Sequence, residues 1–156
     1  MIETAIPGFK KLALAQLVLD YNGTLACDGY LLPDVGNALN ALSTHLDIHV
    51  LTADTFGRAT GQLDGVSCTV SILPKSDQAN GKLAYVEKLG ADTCVCIGNG
   101  RNDQLMLKAA GLGIAVVLEE GASSETLQAA DVVCTSILSA LALLTNPLRL
   151  TATLRS

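Results

Sequence analysis

Hydrophobic positions along this chain follow two alternating rhythms. Aliphatic stretches of strand length cover 16–20, 48–51, 68–73, 93–97, 113–118 and 131–134, and polar or glycine-containing residues interrupt them. Between them, apolar residues recur at helical spacing over 34–46, 56–63, 78–89, 103–110, 124–130 and 137–144. Val35, Leu39, Leu42 and Leu46 form one such stripe after Pro33, and Leu83, Val86 and Leu89 form another. Ahead of the first central strand, Ile2, Ile6, Leu12 and Leu14 flank Pro7-Gly8, which predicts a β-hairpin over 1–16. Strands separated by helices of this length predict an α/β fold, a three-layer, doubly wound, mainly parallel sheet covered on both faces. The chain of 156 residues is long enough for one domain, 1–156, with a full core.

Composition and charge narrow the partners. A formal charge of -5 without Lys/Arg clusters argues against nucleic acid and anionic membranes, which need concentrated positive charge. The apolar run 137–144 is too short to cross a bilayer, and no charged-then-apolar segment opens the chain, so a cytoplasmic location away from the membrane is expected. Cys27, Cys68, Cys94, Cys96 and Cys134 lack paired spacing and nearby histidines, which argues against zinc and for buried, reduced thiols. Cys94 and Cys96 share one face of their strand. His45 and His49 are expected at the solvent edge.

Three strands end in polar residues suited to phosphate: Asp20, Thr52 and the turn from Gly98 to Asp103. In a doubly wound sheet the carboxyl ends of the strands share one edge, so these segments converge, and Lys82 near the start of its helix adds a cation. A carboxylate can attack phosphorus to form an aspartyl phosphate, and Mg2+ held between carboxylates screens the repulsion between two anions.

The order Asp20-Tyr21-Asn22-Gly23-Thr24, Leu51-Thr52-Ala53-Asp54, Lys82 and Gly98-Asn99-Gly100-Arg101-Asn102-Asp103 resembles the four motifs of the haloacid dehalogenase superfamily. More narrowly, it is similar to the phosphorylation domain of P-type ATPases, whose motifs read DKTGT, TGD, a lysine and GDGxND. The likeness continues through 109–115 and 129–133. The resemblance implies that Asp20 is nucleophile and metal ligand, and that the backbone carbonyl of Asn22 is a second ligand. It makes Thr52 and Lys82 catalytic groups that bind phosphoryl oxygens, with Asn22, Gly23 and Ala53 also lining the substrate site. Asp103, with Asn99, would complete the Mg2+ site. Thr24 would brace the loop, and Asp54 would sit near the nucleotide or metal side. For Thr52 and Asp54 a helix-capping role is the alternative.

The chain departs from that pattern in two places. Superfamily phosphatases carry a second aspartate two residues after the nucleophile as general acid and base; here the position is Asn22, so a contribution typically worth about 10²–10⁴-fold is missing. P-type ATPases also do without it, because their leaving group is a stable anion. Asn99 replaces the first aspartate of GDGxND and weakens attraction for a hard cation. Gaps of about 30 residues between Asp20, Thr52 and Lys82 leave no room for a cap or nucleotide-binding domain. Without transmembrane segments, ion pumping is excluded.

The expected activity is a capless, Mg2+-dependent phosphohydrolase working through an aspartyl phosphate on Asp20, favouring acyl or aryl phosphates or ATP. Its partner would be a phosphorylated small molecule or phosphoprotein. The main alternative is a slow or non-catalytic phosphate-binding regulatory module, and a receiver-like switch is a third. The apolar carboxyl end either covers the sheet, the favoured reading, or supplies a homo-oligomeric interface.

Overall fold

A computed structural model describes all 156 residues. The chain opens with an antiparallel hairpin, β1 (Ile2–Ala5) and β2 (Lys11–Leu14), and enters the central sheet at β3 (Gln16–Asp20). A second, small hairpin follows, β4 (Ala26–Cys27) and β5 (Tyr30–Leu31), then α1 (Val35–Leu42), β6 (Asp47–Thr52), the single turn α2 (Ala59–Gln62) and β7 (Thr69–Ile72). Next come α3 (Gln78–Leu89), β8 (Cys94–Gly98), α4 (Gln104–Ala109), β9 (Leu112–Val116), α5 (Ser124–Ala129) and β10 (Val132–Cys134). Two helices, α6 (Ile137–Thr145) and α7 (Pro147–Leu154), close the chain. The six central strands run in the order β10-β9-β8-β3-β6-β7 with every neighbouring pair parallel, as the alternating pattern predicts. No helix is long and apolar enough to cross a membrane, and α6 and α7 meet at 103°.

Strand alternation divides the core into two layers. Leu17, Leu19, Ile48, Val50, Val95, Ile97, Leu112 and Ile114 face the larger apolar cluster with α1, α6 and the first hairpin. Val18, Leu51, Cys94, Cys96 and Ala115 face a smaller cluster under α3 and α4. The side chains here are small, so the helices approach the sheet closely. Asp20 shares the parity of Val18 and thus belongs to the smaller layer.

Three elements escaped the periodicity. Strands of two residues cannot show alternation, which hides β4 and β5. Asn146-Pro147 reads as a stop, yet proline at the first helical position has no amide to lose and opens α7 instead. Conversely, α2 is shorter than 56–63 because the backbone turns at Asp54 and Gly57, both with positive φ.

A Cβ on Gly113 would lie 2.4 Å from the Leu107 carbonyl oxygen in α4, whereas one on Gly61 would meet nothing within 4 Å. Gly113→Ala is expected to cost roughly 1–3 kcal/mol or more in urea unfolding, because backbone must move. Gly61→Ala, in an open helical turn, is expected to hold or raise stability by up to about 1 kcal/mol.

Candidate active site

The chain runs from β3 outward through β6 and β7, then returns to β8 on the other side of β3. Crossover connections on either side of β3 open a crevice at the strands' carboxyl ends, the place where open parallel sheets hold ligands. Asp20, Thr52 and Gly98 are the last residues of β3, β6 and β8.

Lys82 joins these ends. It is the fifth residue of α3, and its buried ammonium lies 2.6 Å from Asp20 Oδ1 and 2.6 Å from Asp103 Oδ1. Its side chain is 1% exposed, so Lys75 and Lys88, both on the surface, do not compete for the position. Burial alone would favour neutral lysine, but the two carboxylates outweigh it and hold Lys82 above its usual range. For Asp20, burial and the neighbouring Asp103 prevail over Lys82 and Thr24, pushing its carboxyl up to about 6. One ammonium between two carboxylates leaves the buried cluster with an excess negative charge.

Asp103 differs from its expected role. Its Oδ2 accepts the backbone N–H groups of Asn99 at 3.0 Å and Gly100 at 2.8 Å, while Oδ1 takes Lys82. The side chain is fully buried and lines no part of the pocket, so the resemblance's assignment of Asp103 as a metal ligand does not fit this geometry. Instead, Asp103 clamps the β8 turn and holds Lys82. Its carboxyl occupies the space a Cβ on Gly98 would need.

Thr24 Oγ1 lies 3.1 Å from Asp20 Oδ2 and 3.3 Å from Asn99 Oδ1, bracing the two loops against each other. Asn99 also donates from Nδ2 to the Gly121 carbonyl at 2.9 Å. Gly23 adopts φ +79°, and a Cβ there would strike the Asn99 amide. The Gly23 N–H is committed to Ala26 O at 2.8 Å. In the same loop the Tyr21 carbonyl accepts from Thr24, Leu25 and Ala26, leaving the Asn22 carbonyl free of backbone donors. Asn22 Oδ1 is buried without a hydrogen-bond partner.

Thr52 Oγ1 accepts the Asp54 N–H at 2.8 Å, so its own proton is free for another acceptor. Asp54 Oδ1 accepts from Arg58 and Ala59 at 2.9 Å each, which makes Asp54 the cap of α2 rather than a group near metal or nucleotide. Asp20, Asn22, Thr52, Ala53 and Asn99 line one pocket of about 160 Å³. A larger hollow of about 690 Å³ lies at the opposite sheet edge and contains none of them. It borders His49, which is half-buried rather than solvent-facing: Nε2 lies 2.9 Å from Gln16 Oε1 and Nδ1 3.0 Å from the Tyr85 hydroxyl.

Asn102 and Gln78 were not singled out in the sequence. Asn102 Oδ1 stands 3.5 Å from Lys82 Nζ, and its Nδ2 donates to Gln78 Oε1 at 2.6 Å, tying the β8 turn to the start of α3. Asn102 lies inside the last motif, which was a signal; Gln78 carried none. Thr126, also unflagged, anchors the same turn through Gly100 O at 2.6 Å.

A family model described as haloacid dehalogenase-like hydrolase matches residues 75–139. An uncharacterized protein of Methanocaldococcus jannaschii is 46% identical over 78 residues, which span 47% of this chain and 84% of that protein. Among solved structures, the cobalt-bound deoxy-D-mannose-octulosonate 8-phosphate phosphatase of Haemophilus influenzae superposes with TM-score 0.72 at 14% identity, covering 92% of this chain and 94% of that one. The 3-deoxy-D-manno-octulosonate 8-phosphate phosphatase of Moraxella catarrhalis, in complex with magnesium, phosphate and KDO, gives 0.67 at 20% identity over 86% and 87%. The catalytic domain of the CPx-ATPase CopB-B gives 0.61 at 22%, covering 74% of this chain and 46% of that one.

Lys82→Met would leave two buried carboxylates unpaired and is expected to cost about 3–5 kcal/mol in chemical denaturation. Asp20→Asn removes the excess charge and keeps the Lys82–Asp103 pair, so it should hold or raise stability. The folded-state pKa of Asp20 lies above its ordinary value of 3.8, so its stabilising contribution is present below about pH 4 and lost as pH rises through about 6. The gain in Asp20→Asn should accordingly grow between pH 4 and 7 to about 3 kcal/mol, read from denaturation midpoints in metal-free buffer.

Proposed function

Because the chain belongs to the haloacid dehalogenase-like hydrolases, we propose that it is a Mg2+-dependent phosphohydrolase that forms an aspartyl phosphate on Asp20. The observation that carries this reading is Asp20 itself, a carboxylate at the end of a central strand, held by Lys82 and Thr24 and facing a pocket with room for a phosphoryl group. One Asp20 oxygen attacks phosphorus as the bond to the leaving group breaks. Water then cleaves the acyl phosphate and regenerates the carboxylate. The Thr52 hydroxyl, with its proton free, holds a phosphoryl oxygen, the charged Lys82 behind Asp20 offsets the phosphoryl charge, and Ala53 forms the adjoining wall.

The donor set suits a hard cation in a reduced form. Asp20, the free Asn22 carbonyl and the Asn99 side chain supply oxygen alone, and Asn22 Oδ1 is an unpartnered oxygen beside them. Mg2+ binds through one or two carboxylates completed by water and substrate phosphate, so a single carboxylate is sufficient, with weaker affinity. When bound, the ion supplies screening of the charge shared by Asp20 and the phosphoryl oxygens.

Asn22 stands where a proton donor would serve the leaving group. An amide can donate a hydrogen bond but cannot transfer and retrieve a proton, so acyl or aryl phosphates, or ATP, are favoured over alkyl esters. The substrate is a small molecule or phosphoprotein of that kind, met in the cytoplasm. The shortage of carboxylates also favours a second reading, a slow or non-catalytic phosphate-binding module.

Incubation with acetyl phosphate and Mg2+ is expected to give a labile phosphoryl adduct by mass measurement and to release phosphate, both lost in Asp20→Asn. Neither adduct nor release would leave the binding-module reading. Asn22→Asp is expected to raise alkyl-phosphate turnover by about 10²-fold or more, measured as kcat on a sugar phosphate.

A further inference from the structure

Asn22 and Asn99 are each followed by glycine. In Asn-Gly the backbone nitrogen after the asparagine has no neighbouring Cβ to hinder its approach to Asn Cγ, the geometry that ring closure needs. The two copies of this dipeptide stand in different surroundings. Asn99 is held at both ends of its amide, by Thr24 Oγ1 at 3.3 Å and the Gly121 carbonyl at 2.9 Å. The Gly100 N–H is bound 2.8 Å from Asp103 Oδ2, on a carboxylate itself anchored by Lys82. Asn22, in contrast, makes no side-chain hydrogen bond, and its Oδ1 is buried without a partner. The nitrogen that would attack is hydrogen-bonded at both positions, here by the Gly23 N–H to Ala26 O bond of 2.8 Å, so the two sites differ in the asparagine amide, which is free at 22 and held at 99.

We propose that Asn22 is a site of spontaneous deamidation and that Asn99 is protected from it. Gly23 N attacks Cγ of Asn22; the N–Cγ bond forms, the Cγ–Nδ2 bond breaks, and ammonia leaves with the proton from Gly23 N. Water then opens the succinimide, giving aspartate when the N–Cγ bond is cut and isoaspartate when the ring bond to the main-chain carbonyl is cut. The aspartate product places a carboxyl in the pocket beside Asp20, where an amide could not transfer a proton. The isoaspartate product lengthens the main chain by one carbon, two residues after Asp20. A preparation thus contains three forms of one loop.

The proposal does not depend on the phosphohydrolase reading, because its readout is mass. The purified full chain is held folded at neutral pH in heavy-oxygen water and mapped by peptide mass spectrometry, with the same chain in denaturant as reference. The expected result is amide-to-acid conversion with solvent oxygen at residue 22, faster than at residue 99, and its loss at 22 in Asn22→Gln, whose longer side chain must close a six-membered ring. Equal rates at the two positions, faster conversion at 99, or retention of Asn22 over the interval in which the denatured chain converts would overturn it.

Discussion

A buried ammonium suspended between two carboxylates holds this site together. Lys82 comes from α3, Asp20 from β3 and Asp103 from the turn after β8, so one charge cluster joins three segments far apart in the sequence. Charges withdrawn from water are tolerated only when paired and hydrogen-bonded, and breaking one such pair strands the others. The remaining oxygens of Asp20 and Asp103 are accordingly met by Thr24 and by the Asn99 and Gly100 amides. The cluster pins the start of α3 to the carboxyl edge of the sheet, while Val86 packs the helix into the smaller apolar layer. The small layer beneath it, with Cys94, Cys96 and Gly113, lets the helices come close enough for the lysine to reach.

The cluster also gives a reason to treat Asn22 and Asn99 together. Asp20, Asp103 and Lys82 already sum to one excess negative charge, and burial together with the neighbouring Asp103 raises the Asp20 carboxyl to about 6. Aspartates at both 22 and 99 would deepen that excess. With an amide, Asn99 instead bridges Thr24 and Gly121 as a neutral hydrogen-bonding strut. For the cation of the proposed function, the same exchange would weaken the site's hold, so structural self-sufficiency and metal affinity would oppose each other.

The sheet was legible in the sequence because its strands are buried on both faces and read as aliphatic blocks separated by helical stripes. Where Asp20, Thr52 and the β8 turn would meet followed from that alone, since parallel strands share their carboxyl edge. What escaped depended on tertiary partners. Asp103 looks like any motif carboxylate until the approach of α3 shows that Lys82 and two amides consume both oxygens. Asp54 reads as a site residue or as a cap with equal ease, and only the positive-φ turn before α2 decides for the cap. His49 is drawn inward by Gln16 and Tyr85, residues 33 and 36 positions away, beyond any local pattern.

Under the proposed phosphohydrolase reading, the protons around Asp20 limit the kind of phosphate ester that would react. Lys82 is held in its charged form by two carboxylates and gives up its proton only at a pH above its usual range. The Thr52 hydroxyl can offer a hydrogen bond, but an alcohol is too weak an acid to protonate a departing oxygen. Asp103 is enclosed and fully bonded, and Asp54 is turned toward α2. Asn22 has protons on nitrogen that it cannot release on the timescale of bond cleavage. No side chain lining the pocket is therefore suited to act as general acid, and in the proposed reaction the barrier would track the stability of the leaving anion. A leaving group that departs readily as an anion asks nothing of these residues; an alkoxide asks for a proton that none of them holds.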